Sequence, residues 1–358
     1  MVSVSRTALA SFMTEILRSG GMDPESAAVA ADCFAEADAS GVSTHGAARL
    51  AAYHDALMRG QINARPDIRT ERDAVFLRID GDNGLGPAVA ARMARAACDV
   101  AKETGMCLAT VRHSNHFGIA SYYADMATRQ GMIAMVFSNA SPTVAPFGGR
   151  EARLGTNPVA LAAPGGTRED GFTLDMATSV VSRGRIRQMG GDDATVPDDW
   201  AVTATGDPAR TVAEVMSGAL RPFGGARGSG IALFVDLMAG VLSNGSFGTD
   251  LGTMYSDGNR PSGTGHAMIV IDAERALGSG DWGERFDAFA RGIRTSRPDL
   301  DHDAVSLPGD RRARTRNETA RTGIPLRGAV WDSLRDLSDR TGIPLPEHRP
   351  DQMQGMTA

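Results

Sequence analysis

The sequence predicts an α/β protein in which a helical unit, assembled from both ends of the chain, flanks a central unit of alternating strands and helices. Three features predict it. Apolar residues recur at helical spacing in the first stretch of chain, short apolar runs alternate with helical patterns between Ala74 and Ile271, and helical spacing returns from Trp282 onward. At 358 residues the chain exceeds what one compact core normally holds. The expected division places residues 1–73 and 299–358 in the discontinuous helical unit and 74–298 in the central one.

Leu9, Phe12, Met13, Ile16 and Leu17 define the first helix, which Gly20 and Gly21 stop. Asp23-Pro24-Glu25 supplies an N-cap, a first-turn proline and an acid for a second, Ala-rich helix ending at Ala37. A third helical pattern runs from Ala47 to Met58 and is closed by Gly60. Beyond Pro66, the run Ala74 to Ile79 reads as strand, Gly81 to Gly86 as turn and Pro87 to Thr104 as a long helix. Cys107 to Val111, Ile133 to Phe137, Val159 to Ala162, Phe172 to Leu174 and Ala267 to Ile271 read as further strands, with Ile119 to Arg129 helical. The stretch between Ala177 and Ala226 is rich in Gly, Pro and Asp and weakly periodic, and a helix is expected from about Gly230 to Leu242. Trp282 to Arg297, Arg312 to Arg321 and Ala329 to Arg340 carry helical patterns, and the tail after Pro350 is expected to fray.

Lys+Arg number 37 against 43 Asp+Glu, a formal charge of −6 that offers no electrostatic footprint for a nucleic acid. Three cysteines, Cys33, Cys98 and Cys107, are an odd number without paired spacing, which argues against a disulfide framework or a Cys-based zinc site and fits a cytoplasmic protein. Arg6, Glu15 and Arg18 interrupt the apolar N-terminal residues, so neither export nor membrane insertion is expected. Lys102 is the only lysine, so arginine can stand where a motif elsewhere carries lysine.

Gly278-Ser-Gly280-Asp-Trp-Gly283 matches the dinucleotide fingerprint by letter, but acidic residues flank it and no strand leads into it, so it reads as coincidence. Five other segments carry possible chemistry. Ser43-Thr44-His45-Gly46 with Arg49 puts an imidazole and a guanidinium one helical turn apart, suited to moving a proton and gripping a carboxylate; the same residues also suit a helix cap with a surface His and Arg. Arg112-His113-Ser114-Asn115-His116-Phe117-Gly118 joins a strand to a helix, where α/β folds place ligands and helix amides favour anions. With no carboxylate near His113 and His116, no metal site is expected. Ser138 to Gly149 and Leu154-Gly155-Thr156-Asn157-Pro158 are fixed by Pro and Gly and orient Asn139, Thr156 and Asn157. Asp175-Met176-Ala177-Thr178-Ser179 follows a strand; Asp175 suits either ribose hydroxyls or a turn cap. Pro222 to Gly230, with Arg227 and Gly228, could cradle phosphate or simply enter a helix.

Taken in order, Thr44-His45-Gly46, Ser114 to Gly118, Pro146-Phe147-Gly148-Gly149, Gly155 to Pro158 and Asp175 to Ser179 resemble the malate/L-lactate/sulfolactate dehydrogenase family, over nearly the whole chain. The resemblance implies interconversion of a 2-oxo acid and an L-2-hydroxy acid with NAD or NADP, on a non-Rossmann fold with a mixed central sheet, in a homodimer. It implies His45 as proton donor with Thr44 beside it, His116 as the competing acid/base, and Arg49 and Thr156 as substrate contacts. It implies cofactor contacts at His116, Phe117, Gly118, Ile119 and Ala120, at Asp175, Met176 and Ala177, at Arg227 and Gly228, and at Pro308, Gly309 and Asp310. Arg227 replaces the lysine usual in the family loop, and Arg185 stands where the cyclic-imine-reducing branch carries an acid. Reduction of cyclic imine-2-carboxylates, or metabolite binding without catalysis, are the alternative functions.

Overall fold

A computed structural model describes residues 2–186, 189–255 and 258–350. The chain opens with β1 (Val2–Val4), α1 (Arg6–Ser19), α2 (Pro24–Ala39) and α3 (Leu50–Met58). There follow β2 (Arg69–Asp73), β3 (Phe76–Asp80), α4 (Gly86–Thr104), β4 (Met106–Ser114), α5 (Ala120–Thr128), β5 (Met132–Ser138), β6 (Val159–Ala163) and β7 (Phe172–Met176). Four short elements come next: α6 (Arg183–Ile186), β8 (Ala201–Val202), α7 (Val212–Ser217) and β9 (Ala219–Leu220). The rest comprises α8 (Ala226–Asp236), β10 (Thr264–Asp272), α9 (Ala273–Leu277), α10 (Trp282–Arg294), α11 (Asp310–Thr322), β11 (Ile324–Leu326), α12 (Gly328–Thr341) and β12 (His348–Pro350).

The central sheet has seven strands in the order β2-β3-β4-β10-β5-β6-β7. Only β3 and β4 run parallel, joined by the α4 crossover that a parallel pair requires. The other neighbours are antiparallel, and β10, last of the seven in sequence, inserts between β4 and β5. Its Ala267, Met268 and Val270 are buried, as a middle strand covered on both faces demands. One face packs on α4 and α5 through Val89, Met93, Cys98, Tyr123 and Ala124.

The two chain ends share a second core. Leu9, Met13, Ile16 and Leu17 of α1 and Leu50 and Tyr53 of α3 meet Trp331, Leu334 and Leu337 of α12, while β1 pairs antiparallel with both β11 and β12. The caps foreseen at the start hold: Asp23 accepts from the Ser26 amide at 3.0 Å at the head of α2.

Several boundaries differ from the expectation. The central sheet begins before residue 74, because β2 pairs with β3 around the turn at Ala74, whose φ is +52°. Every residue of β2 is exposed, so it shows no apolar alternation to read. The third helix starts at Leu50 rather than Ala47, and the helix expected from Gly230 starts at Ala226 and continues into a π-helical turn, Leu237–Val241. The glycine triplet at 278–283 links α9 to α10, with Asp281 capping α10; no strand feeds it. The tail expected to fray, 351–358, lies outside the described residues. No helix among the described residues is long and apolar enough to cross a membrane.

Candidate active site

The carboxyl ends of β4, β5 and β7 and the amino end of β10 open at one edge of the sheet. They floor a cavity enclosing about 270 Å³, lined by His45, His116 to Ala120, Ser138 to Ser141, Thr156, Asp175 to Ala177, Thr253 to Tyr255, Arg311 and Arg312. Its walls therefore mix hydroxyls, amides and imidazoles with apolar surface, the composition of a small-molecule site.

His45 lines it, and Arg49 adjoins it through Tyr255, by a route that helical spacing does not foresee. They lie in two successive 3-10 turns, Ser43–His45 and Ala47–Arg49, hinged at Gly46. The hinge is packed on the buried carboxyl of Asp38, near the end of α2, whose Oδ2 accepts the Ala47 amide at 2.7 Å. A Cβ at Gly46 would stand 2.2 Å from that carboxyl, so only glycine fits. Burial pushes Asp38 up to about 7, with the Ala47 hydrogen bond partly opposing it. Thr44 Oγ1 lies 2.9 Å from His45 Nδ1, and Arg49 Nε donates to the Thr44 carbonyl at 2.8 Å. Arg49 Nη1 donates to the Tyr255 hydroxyl, with its guanidinium carbon 5.6 Å from the centre of the Tyr255 ring.

His116 stacks on His45, ring centres 5.5 Å apart and 20° from parallel. Tyr53 and the Gly118 amide both address its Nδ1, the amide at 3.4 Å. Burial, and then the charge of Arg49, pushes His45 down to about 3; the same two causes hold His116 well below the ordinary imidazole range. Both rings are therefore neutral when nothing is bound. Beneath them His266, wholly buried on β10, ties Ser138 and Ser114 together at 2.9 Å each and stacks on Phe117.

Of the other residues singled out from sequence, Phe117, Gly118, Ile119, Ala120, Asp175, Met176, Ala177 and Thr156 line the cavity. Asp175 Oδ2 accepts the Ser121 amide at 2.8 Å, so it caps α5 while facing the cavity. Other residues stand outside it. Arg227 is exposed in the first turn of α8, and Gly228 is pressed on the Phe223 backbone, where a Cβ would come within 2.1 Å of its oxygen. Pro308 accepts the Thr173 amide at 2.9 Å, and Gly309 turns the chain at φ +112°. Asp310 pairs with Arg294 at 2.6 Å. The two residues after that turn, Arg311 and Arg312, do reach the cavity, and Arg312 also borders a second recess with Asp125, Arg129, Asp170 and Arg316. Sequence reading missed these arginines, since in a chain with almost no lysine another arginine carries no signal. It also missed Tyr53 and Tyr255, one indistinguishable from core and the other in a loop without periodicity.

A family model described as malate/L-lactate dehydrogenase matches residues 4–335. The chain belongs to that family. It is 36% identical over 351 residues to the malate dehydrogenase of Pyrococcus horikoshii, covering 96% of each chain, and superposes on the solved structure of that enzyme with a TM-score of 0.87 over 96% of both chains. It is 31% identical to the L-sulfolactate dehydrogenase of Methanocaldococcus jannaschii over 93% of this chain and 96% of that one. A delta1-piperideine-2-carboxylate reductase from Pseudomonas syringae superposes with a TM-score of 0.85 at 28% identity, over 94% of this chain and all of that one.

Proposed function

We propose that this family member interconverts a 2-oxo acid and an L-2-hydroxy acid in the cavity described above, with NAD or NADP as the hydride carrier. The observation that carries the reading is the pair of stacked, neutral imidazoles, His45 and His116, in the lining of a small cavity, with Arg49 held on Tyr255 of the same lining. Arg49 would hold the substrate carboxylate and Thr156, in the cavity lining, would be a second substrate contact, which would fix C2 in place. The chemistry the cofactor supplies when bound is hydride transfer at C2. Reduction builds charge on the C2 oxygen, and His45 or His116, having first taken up a solvent proton as imidazolium, would pass a proton to it and return to the neutral ring; in oxidation the neutral ring would accept the hydroxyl proton and release one to solvent.

The residues present suit an extended dinucleotide. Asp175, Met176, Ala177 and the segment from His116 to Ala120 offer polar and backbone groups, and Arg311 and Arg312 lead into the second recess beside Gly309. Arg227 and Gly228, with Pro308 to Asp310, would extend this surface beyond the cavity. The cofactor would thus lie on a sheet with a single parallel pair, a fold distinct from the Rossmann type. We assign residues 1–73 and 299–358 to a helical unit, with β2 attached to the sheet of the central unit, 74–298. A homodimer is proposed through α8 and its π-helical turn, where Leu233, Phe234, Leu237, Val241 and Leu242 are each about half exposed. Three buried free cysteines suit a cytoplasmic enzyme.

Titration with NADH and NADPH, followed by tryptophan quenching, tests the cofactor, and a panel of 2-oxo acids and cyclic imines tests the substrate. Saturable binding and reduction of a 2-oxo acid are expected, with turnover lost in His45→Ala or His116→Ala. Binding of neither cofactor by folded protein, activity on imines alone, or full activity of both variants would refute the reading.

A further inference from the structure

We propose that Tyr53 is a positioning residue for this reaction: its buried hydroxyl donates to Nδ1 of His116 and so keeps the ring proton on Nε2, the nitrogen left for the substrate oxygen. The inference rests on the dehydrogenase reading of the cavity.

Tyr53 lies on the core-facing stripe of α3 with Leu50, Ala56 and Leu57, and is wholly buried. Its ring stacks on Phe34, centres 4.8 Å apart and 18° from parallel. That packing fixes where the hydroxyl ends, which is at His116 Nδ1. Burial also holds the phenol far above its usual range, so the group is an O–H at any working pH. A second donor converges on the same nitrogen, the Gly118 amide at 3.4 Å. Gly118 can turn its amide there because its φ is +81° and its α-carbon is seated on Cys33, where a Cβ would fall 2.9 Å from the sulfur. The amide can only donate, so the Nδ1 it addresses carries no proton in the neutral ring, and the Tyr53 hydroxyl, which also has the His116 carbonyl oxygen at 3.5 Å, then donates to Nδ1 rather than accepting from it.

The hydrogen bonds of the His116 ring among the described residues are thus both at Nδ1, while the ring itself lines the cavity. Nε2–H is then the donor available to a carbonyl oxygen held by Arg49. Phenylalanine at position 53 would keep the stack on Phe34 and remove one of the two donors, leaving the long Gly118 contact to hold the tautomer.

The test is a long-range proton–nitrogen correlation spectrum of protein labelled with ¹⁵N-histidine, run on wild type and Tyr53→Phe, with His116→Asn to assign the ring. Wild type is expected to show Nδ1 as an unprotonated acceptor and Nε2 protonated. In Tyr53→Phe both shifts should move toward a mixture of tautomers, with kcat down about tenfold and KM for the oxo acid within about threefold. An Nδ1–H in wild type, needing no variant, overturns the proposal. So does a Tyr53→Phe spectrum identical to wild type with only the melting temperature lowered, the signature of a packing role. Altered shifts with unchanged kcat in an active enzyme overturn this inference alone. A wild type that reduces no 2-oxo acid overturns the reading beneath it, and with it the part given to Tyr53.

Discussion

Replacing Asp38 by asparagine tests the physical account of the turn that carries His45. Burial lifts this carboxyl to about 7 from an ordinary 3.8, so between those values the folded chain holds a proton that the unfolded chain has released. Such a group costs nothing below the unfolded value, and its cost grows as pH rises through the window toward the folded one. Roughly three pH units at about 1.4 kcal/mol each put the full cost near ~4 kcal/mol above neutrality, of which about 2.5 kcal/mol accrues between about pH 5 and about pH 8. Asparagine keeps an oxygen for the Ala47 amide and carries no charge, so Asp38→Asn should gain on wild type by about 2.5 kcal/mol across that interval. Urea denaturation of both proteins at matched concentration measures the difference. If the gap between them stays constant to within about 1 kcal/mol from acid to alkaline pH, the carboxyl is not neutral in the folded chain and the burial argument is wrong.

Tyr255→Phe keeps the ring beside the Arg49 guanidinium but removes the hydroxyl that occupies Nη1. The KM for the oxo acid should fall about fivefold with kcat little changed, and an unchanged KM in steady-state assays would show that hydroxyl and carboxylate do not compete. Leu237→Glu places a charge in the exposed apolar face of α8 and its π-helical turn, where Leu237 is 54% exposed. It should turn a dimer into a folded monomer by light scattering, and a wild type that is itself monomeric would refute the interface.

Much of this architecture is legible because local chemistry and packing agree. The Asp23-Pro24 start of α2, the five buried residues of α1 and the apolar strands β5 and β10 follow from capping and burial, and the structure uses them so. What fails to show is whatever depends on distant contacts. β2 is a charged, exposed edge strand defined only by pairing with β3. His45 and Arg49 are brought near each other not by the turn of an α-helix but by two tighter turns, whose hinge Asp38, nine residues upstream of Ala47, clamps. Gly46 is recognisable as part of a motif, whereas the carboxyl that forbids any other residue there is an acid in a helix and looks like surface. Tyr53 is hidden in the opposite way, since an aromatic at core spacing reads as packing although its hydroxyl ends on His116.

The charges of the site bear on one another. With nothing bound, the cavity sets the cation of Arg49 beside two imidazoles that burial already keeps neutral, and that cation is a second reason they stay so. On the role proposed for Arg49, a substrate carboxylate resting on it would cancel that second opposition and leave burial as the main one. An acid would therefore arrive as the ligand that lets an imidazole take up the proton the reduced oxygen needs, while a neutral ketone of the same shape would leave the cation unanswered. Tyr53 can serve both protonation states of His116, because its hydroxyl turned to accept from Nδ1–H finds the His116 carbonyl oxygen at 3.5 Å for its own hydrogen. On that proposed role Arg49 would act on kcat as well as on KM, and selectivity for acids would reside in the proton transfer as much as in the grip.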